Sequence, residues 1–290
     1  MGEDVNTMMH DALERQRFEQ AVASLCLLDD PFMTVVFQDN LACVDLVIQI
    51  VLNNPNLHAT QVITQDTIQN LHGHSVRLDI HALADGQEFN IEIQRAAGGA
   101  ARRRARYNGS IMDAAALQTG EDYDRLPETY VIFITETDVL QGGQPIYHIQ
   151  RRIDGTNEPF DDGSHIIYVN SSNHDGATPL GRLMHDFRCT RAEDMYYKVL
   201  AERVGHFKGN VGGDERMSNQ LWDAYVRDYI VPKIEQRNAE RCEQALMEGK
   251  NTERLSSIKN LMQNLKFSAE KAMEALSIPK SEWARYKAML

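Results

Sequence analysis

The chain has 290 residues, 42% of them hydrophobic, and a formal net charge of −12. That length suits one sizeable core with an appendage, and no apolar run approaches the roughly 18 residues of a membrane-spanning helix, so no membrane partner is expected. The acidic balance sets a condition on nucleic-acid binding, because attraction to a phosphate backbone must then come from a local basic patch. The start, MGEDVNTMMH, is too acidic and polar for a secretory signal. Cys26, Cys43, Cys189 and Cys242 show no CxxC spacing, which predicts reduced thiols in a cytoplasmic protein and argues against a zinc site or a disulfide frame.

Residues 4–28 predict a helix, broken by Asp29-Asp30-Pro31, which caps the next segment, Phe32 to Phe37. Residues 41–52, LACVDLVIQIVL, predict a buried helix by their length. Asp45 is expected at the solvated edge of that helix, with metal ligation as the alternative. Asn53-Asn54-Pro55 ends it, and Thr60 to Ile68 reads as a strand.

The stretch HSVRLDIHALADGQEFNIEIQR, residues 74–95, carries two alternating runs around Asp85-Gly86, a pair suited to the positive φ of a type I′ hairpin turn. A two-residue loop sets Leu78 opposite Ile93, Ile80 opposite Ile91 and Ala82 opposite Phe89 on one apolar face. The other face carries Arg77, Asp79 and His81 against Gln94, Glu92 and Asn90. Asp79 then faces Glu92 at a non-hydrogen-bonded pair, where side chains approach closely. Two opposed carboxylates repel, and a divalent cation would offset the cost; a wet hairpin face that tolerates the pair is the other reading.

After Gly98-Gly99 comes the one dense basic cluster, Arg102, Arg103, Arg104 and Arg106. On a helix, Arg103, Arg106 and Tyr107 would share a face suited to a phosphate backbone, or to solvent alone. TYVIFIT, residues 129–135, predicts a strand buried on both sides. Tyr147 to Arg152 and His165 to Asn170 read as short strands, with His148 and His165 structural. From Pro179 onward the pattern is helical: Leu180 to Asp186, Ala192 to Arg203, a flexible Gly205 to Gly213, and Asp214 to Lys250 with Trp222, Tyr225 and Tyr229 as a packing stripe. In the tail, Ser268 starts one short helix and Ser281-Glu282 the next. The order of elements predicts an α/β fold with a mixed sheet.

Asp79 and Glu92-Ile93-Gln94 on facing strands, followed by an Arg-rich helix, resemble the PD-(D/E)XK nuclease superfamily. The order LLDDPFMTVVF, SVRLDIHALADGQEFNIEIQ, RRRARYNGSIMDAAALQTGEDYDRLPETYVIFI and LKFSAEKAMEALSIP resembles its Rpn-type recombination-promoting nucleases, over residues 25–170 and, loosely, the tail. The resemblance implies a restriction-endonuclease-like mixed β-sheet flanked by helices, with an all-helical C-terminal extension. It divides the chain into a nuclease core at 1–175, a helical extension at 176–250 and a small helical module at 251–290. The implied activity is metal-dependent DNA endonuclease action, phosphodiester hydrolysis by metal-activated water, linked to mobile-element recombination or defence. Asp79, Glu92 and the Ile93 carbonyl would hold Mg²⁺, with Mn²⁺ as a substitute. Gln94 stands where many superfamily members have lysine, and Arg104 and Tyr107 match an R-x-x-Y helix that, with Arg102, Arg103 and Arg106, would contact DNA. Leu78 replaces the superfamily's proline, and no third acid is identifiable beyond Asp45. The alternative is a catalytically weak or inactive nuclease-fold protein that binds DNA, or assembles into a homo-oligomer through its C-terminal helices.

Overall fold

The structure, a computed structural model, describes residues 16, 18–70, 73–95, 97–209, 254–287 and 289–290. The chain divides into two compact units, Met1–Ala224 and Tyr225–Leu290. The first is built on a mixed six-stranded sheet with helices on both faces, a restriction-endonuclease-like α/β fold.

Helix α1 covers residues 18–24, and α2 (Asp30–Phe37) and α3 (Leu41–Val51) follow. Pro31 sits in the first turn of α2, where its missing N–H costs nothing. The Asn40 side chain caps α3 by accepting the Cys43 N–H. The apolar stripes of both helices are buried, from Phe32 and Phe37 to Val47 and Ile48. No single helix among the described residues is long and apolar enough to cross a membrane; α2 and α3 pass that test only as a pair, and they meet at 109°.

Strands β1 (Ala59–Ile68), β2 (Val76–Ala84) and β3 (Gln87–Gln94) form an antiparallel meander. Next come α4 (Arg102–Ala116), β4 (Thr129–Thr135), β5 (Ile146–Ile149) and β6 (Ser164–Asn170). The sheet order is β1-β2-β3-β4-β6-β5, with β3, β4 and β6 parallel and β5 antiparallel at the edge. Helix α4 covers one face, packing Ala105 and Met112 on Val131, Phe133 and Tyr168. On the other lie α2 and α3, packed in turn against α5 (Pro179–Arg188) and α6 (Lys198–Gly209). Arg203 ties α6 to α2 by donating to the carbonyls of Val36 and Gln38.

Three expectations shift. The strand expected to start at Tyr147 is Ile146–Ile149, and beyond it only Arg152 makes a bridge, to Pro159. The helix expected over Ala192 to Arg203 is a short 3₁₀ turn at Ala192–Asp194 and then a helix from Lys198, and between them Asp186 accepts the N–H groups of Tyr196 and Tyr197. The helix then runs through Gly205 to Gly209 instead of loosening there. The expected segment 214–250, its aromatic stripe and Cys242 lie outside the described residues.

In the second unit, residues 254–265 are helical, followed by α8 (Ala269–Ala275) and α9 (Trp283–Lys287), the first of these three being α7. Ser268 caps α8 by accepting the Lys271 N–H, as its position predicts. A short 3₁₀ turn at Lys280–Glu282 precedes α9. Ile258, Ala272, Met273, Ile278 and Tyr286 form a small separate core.

Candidate active site

The Asp85-Gly86 turn is present with both residues at positive φ, 49° and 78°. The register is the expected one from Ala84/Gln87 to Ile80/Ile91, and there the ladder stops. Asp79 and Glu92, expected as the next directly facing pair, are not ladder partners. The Asp79 carboxylate instead accepts the Ile93 N–H at 2.9 Å, taking the place of a β2 carbonyl. On the other side of β2 the pairing with β1 is regular at Thr64/Ile80 and Asp66/Leu78 but skips Gln65/Asp79, and Gln65 is left-handed, φ 54°. A left-handed residue inside a strand disturbs the pleat. Leu78 accordingly does not share a face with Ile80: it packs with Val76 against Ala105 and Met112 under α4. Ile80 pairs with Ile91, whose neighbours Asn90 and Glu92 are in register with Val131 and Phe133 of the α4 face, so Ile80 and Ile91 point the other way.

The face expected to be wet is largely covered by α4. Glu92 and Asn90 are fully buried and Asp79 is 8% exposed. Asn90 makes no hydrogen bond of ordinary geometry through either amide atom. Gln94 places its amide nitrogen 3.5 Å from both Asp79 Oδ2 and Glu92 Oε2, bridging the acids. Arg104 donates to Glu92 Oε2 and, at 2.9 Å, to the Gly99 carbonyl. Asn108 donates to Glu92 Oε1 at 3.2 Å. Burial, then the neighbouring Asp79 charge, raise Glu92 well above the ordinary carboxylate range, against the pull of Arg104. Burial likewise raises Asp79, with Asp30 adding to the rise and the Ile93 N–H and Arg104 opposing it. This is a pair short of positive charge.

A cavity of about 580 Å³ opens beside the pair. Asp79, Ile93, Gln94, Arg104 and Tyr107 line it, whereas Glu92 is fully buried and does not. Alternation along β3 puts the Ile93 carbonyl on the same strand edge as its N–H, toward the gap. Tyr107 is turned inward with Arg104 and donates to the His74 carbonyl at 2.5 Å. The face expected to join Arg103, Arg106 and Tyr107 is therefore split: Arg102, Arg103 and Arg106 are exposed and do not line the cavity.

Asp30, at the start of α2, lines the same cavity, and Gln65 holds it by donating to Oδ1 at 2.7 Å. It brings a further carboxylate to the cavity, which Asp79 and Asp29 also line. Asp45 is elsewhere, bonded to the Ala59 N–H at 2.6 Å and to His58, where it anchors the start of β1. Arg77 and Arg95 also line the cavity, Arg95 paired with Asp29 at 3.0 Å. The DDP segment carried the signal for Asp30, but its distance in sequence from Asp79 hid the link.

Residues 44–178 match the PD-(D/E)XK nuclease family transposase family. Over those residues, a little under half of the chain, the sequence is similar to that family. The match spans Asp79, Glu92, Gln94 and all of α4, and leaves Asp30 outside it. A PD-(D/E)XK domain over these residues suggests a nuclease-type function. No curated protein and no solved structure matches the chain.

Proposed function

We infer that this protein is a metal-dependent DNA endonuclease. One observation carries the reading: Asp79 and Glu92, bridged by Gln94, are held together with too little positive charge beside a cavity that Asp30 also lines. The donors fit a hard cation, since carboxylate and carbonyl oxygens suit Mg²⁺, or Mn²⁺ in its place. Asp79, Glu92, the Ile93 carbonyl and Asp30 are the groups that would hold it. Bound there, the ion would polarise a scissile phosphate and make a water more acidic.

The chain's own residues supply the rest. Gln94 cannot carry a proton or a charge, so its task is to orient a water or a phosphate oxygen through its amide. Arg104, anchored on the Gly99 carbonyl, keeps positive charge where charge builds on the phosphate. Arg77 and Arg95 at the cavity, with Arg102, Arg103 and Arg106 on the outer face of α4, provide the local basic surface that an acidic chain needs to hold DNA.

The test is nicking of supercoiled plasmid with Mg²⁺ or Mn²⁺. Asp79→Ala and Glu92→Ala should each be slower than wild type by about 100-fold or more, since each removes a ligand. Equal residual activity in all three overturns the reading. A second reading, a nuclease-fold protein that binds DNA without cutting it, is favoured by one interaction: Arg104 bonds the Glu92 oxygen that a cation would take. Metal-independent DNA binding with no cleavage by wild type would select it.

A further inference from the structure

Away from the acid cavity, His185, Asp186 and Cys189 converge at the C-terminal end of α5. His185 Nδ1 lies 3.3 Å from Asp186 Oδ1 and 3.4 Å from Cys189 Sγ, and one donor atom from each of the three falls within 4.8 Å of the others. Around a tetrahedral Zn²⁺, bonds of about 2.0–2.1 Å to nitrogen or oxygen and about 2.3 Å to sulfur place neighbouring ligands roughly 3.3–3.6 Å apart. The two measured separations match.

The local structure explains the convergence. His185 and Cys189 are four residues apart, the spacing that brings two helical ligands to one ion. The carbonyl end of a helix also favours a cation. Asp186 is fully buried, and its two oxygens accept the Tyr196 and Tyr197 N–H groups at 2.8 Å each. Those bonds fix the carboxylate and leave each oxygen a lone pair. The Tyr196 ring packs edge-on against the His185 imidazole, 4.8 Å between centroids. The His185 side chain is 32% exposed, so solvent reaches the edge of the cluster.

We propose that His185, Asp186 and Cys189 form a zinc site separate from the acid cavity, joining the end of α5 to the segment that leads into α6. A thiolate beside an imidazole selects Zn²⁺ over Mg²⁺, because sulfur is a soft donor. Binding replaces the Cys189 S–H bond with a Zn–S bond, and the proton leaves to solvent with no change of oxidation state. The H-D-x-x-C spacing escapes a search for CxxC pairs.

The experiment uses the full chain stripped with a chelator. Zn²⁺ titrated against a chromogenic chelator should show a site that survives in the Asp79→Ala/Glu92→Ala double variant, and Co²⁺ should give the charge-transfer absorption of a thiolate ligand there. Affinity should fall at least tenfold in Cys189→Ser and in His185→Gln, with circular dichroism checking that both are folded. In wild type, Zn²⁺ should slow alkylation of Cys189, a readout that needs no variant. Absence of the thiolate band, unchanged Cys189 alkylation, or wild-type zinc affinity in folded Cys189→Ser would each overturn the site. Loss of zinc only in the Asp79/Glu92 double variant would assign the ion to the acid cavity and overturn it too.

Discussion

A methyl group added at Gly99 would sit 1.9 Å from Gln94 Oε1 and 2.9 Å from its Cδ. The obstacle is the far end of a flexible side chain, so the fold can accept Gly99→Ala, at about 0.5 kcal/mol or less. Gln94 cannot keep its place. We expect Gly99→Ala to melt close to wild type yet nick plasmid about tenfold more slowly, a loss typical of removing an outer support of a metal site; unchanged nicking would show that the bridging amide is dispensable. Residues of this kind divide sharply in legibility. That Asp79, Glu92 and Gln94 lie near one another could be read from strand alternation and an Asp-Gly turn, but not that the ladder stops short of the two acids. Asp30 could not be assigned, because it reaches the site from another element through a bond to Gln65, and a glutamine at positive φ inside a strand has no signature in sequence. Asp45 kept a ligand role as an alternative for the converse reason: a carboxylate on a buried helix resembles a ligand until its bond to the Ala59 N–H is seen.

Helix α4 has two jobs on two faces. Arg104 and Asn108 turn inward to Glu92, and Arg102, Arg103 and Arg106 turn outward. Removing the outward three should weaken DNA binding without touching the acids. In Arg102→Ala/Arg103→Ala/Arg106→Ala the slope of log affinity against log salt should fall by about 0.9 for each phosphate no longer neutralised, with Mg²⁺ affinity unchanged. An unaltered salt slope would place the DNA elsewhere. The helix itself was legible from its basic cluster, but its rotation was not. Spacing alone grouped Tyr107 with Arg103 and Arg106, whereas packing of Ala105 and Met112 on the sheet turns Tyr107 inward with Arg104. The hairpin shows the same limit: its turn and inner register follow from pattern, and the place where its strands part depends on β1 and α4.

At the scale of the whole molecule, the buried acid pair makes stability fall as pH rises, while His148, whose pKa burial lowers, acts the other way. Asp79 and Glu92 titrate higher in the folded chain than the unfolded value near 4, Glu92 at about 7. The fold therefore binds more protons than the unfolded chain, and stability falls as pH rises from about 4 to 7. His81 adds to this. Burial opposes its charged form, but bonds to Glu88 at 2.7 Å and Asp66 at 2.6 Å outweigh it and raise its pKa. Its contribution is complete below the unfolded value near 6.5 and is lost as pH rises through the folded one. The metal-free chain should thus have a lower Tm at pH 8 than at pH 5.5, and Mg²⁺ should recover part of the difference at pH 8 but little at pH 5.5. A Tm that rises with pH in the absence of metal would contradict this. Composition foretold none of it, because a net charge of −12 counts charges without saying which are buried.

The bond from the Ile93 N–H to Asp79 gives the protein an internal probe of its own chemistry. Most backbone amides in a sheet donate to carbonyls, whose acceptor strength does not change with pH. This one donates to a group that titrates. Its proton resonance should move downfield as Asp79 ionises and shift again when a cation draws on the same oxygen, so that one peak in a spectrum reports both events without a label or a substrate.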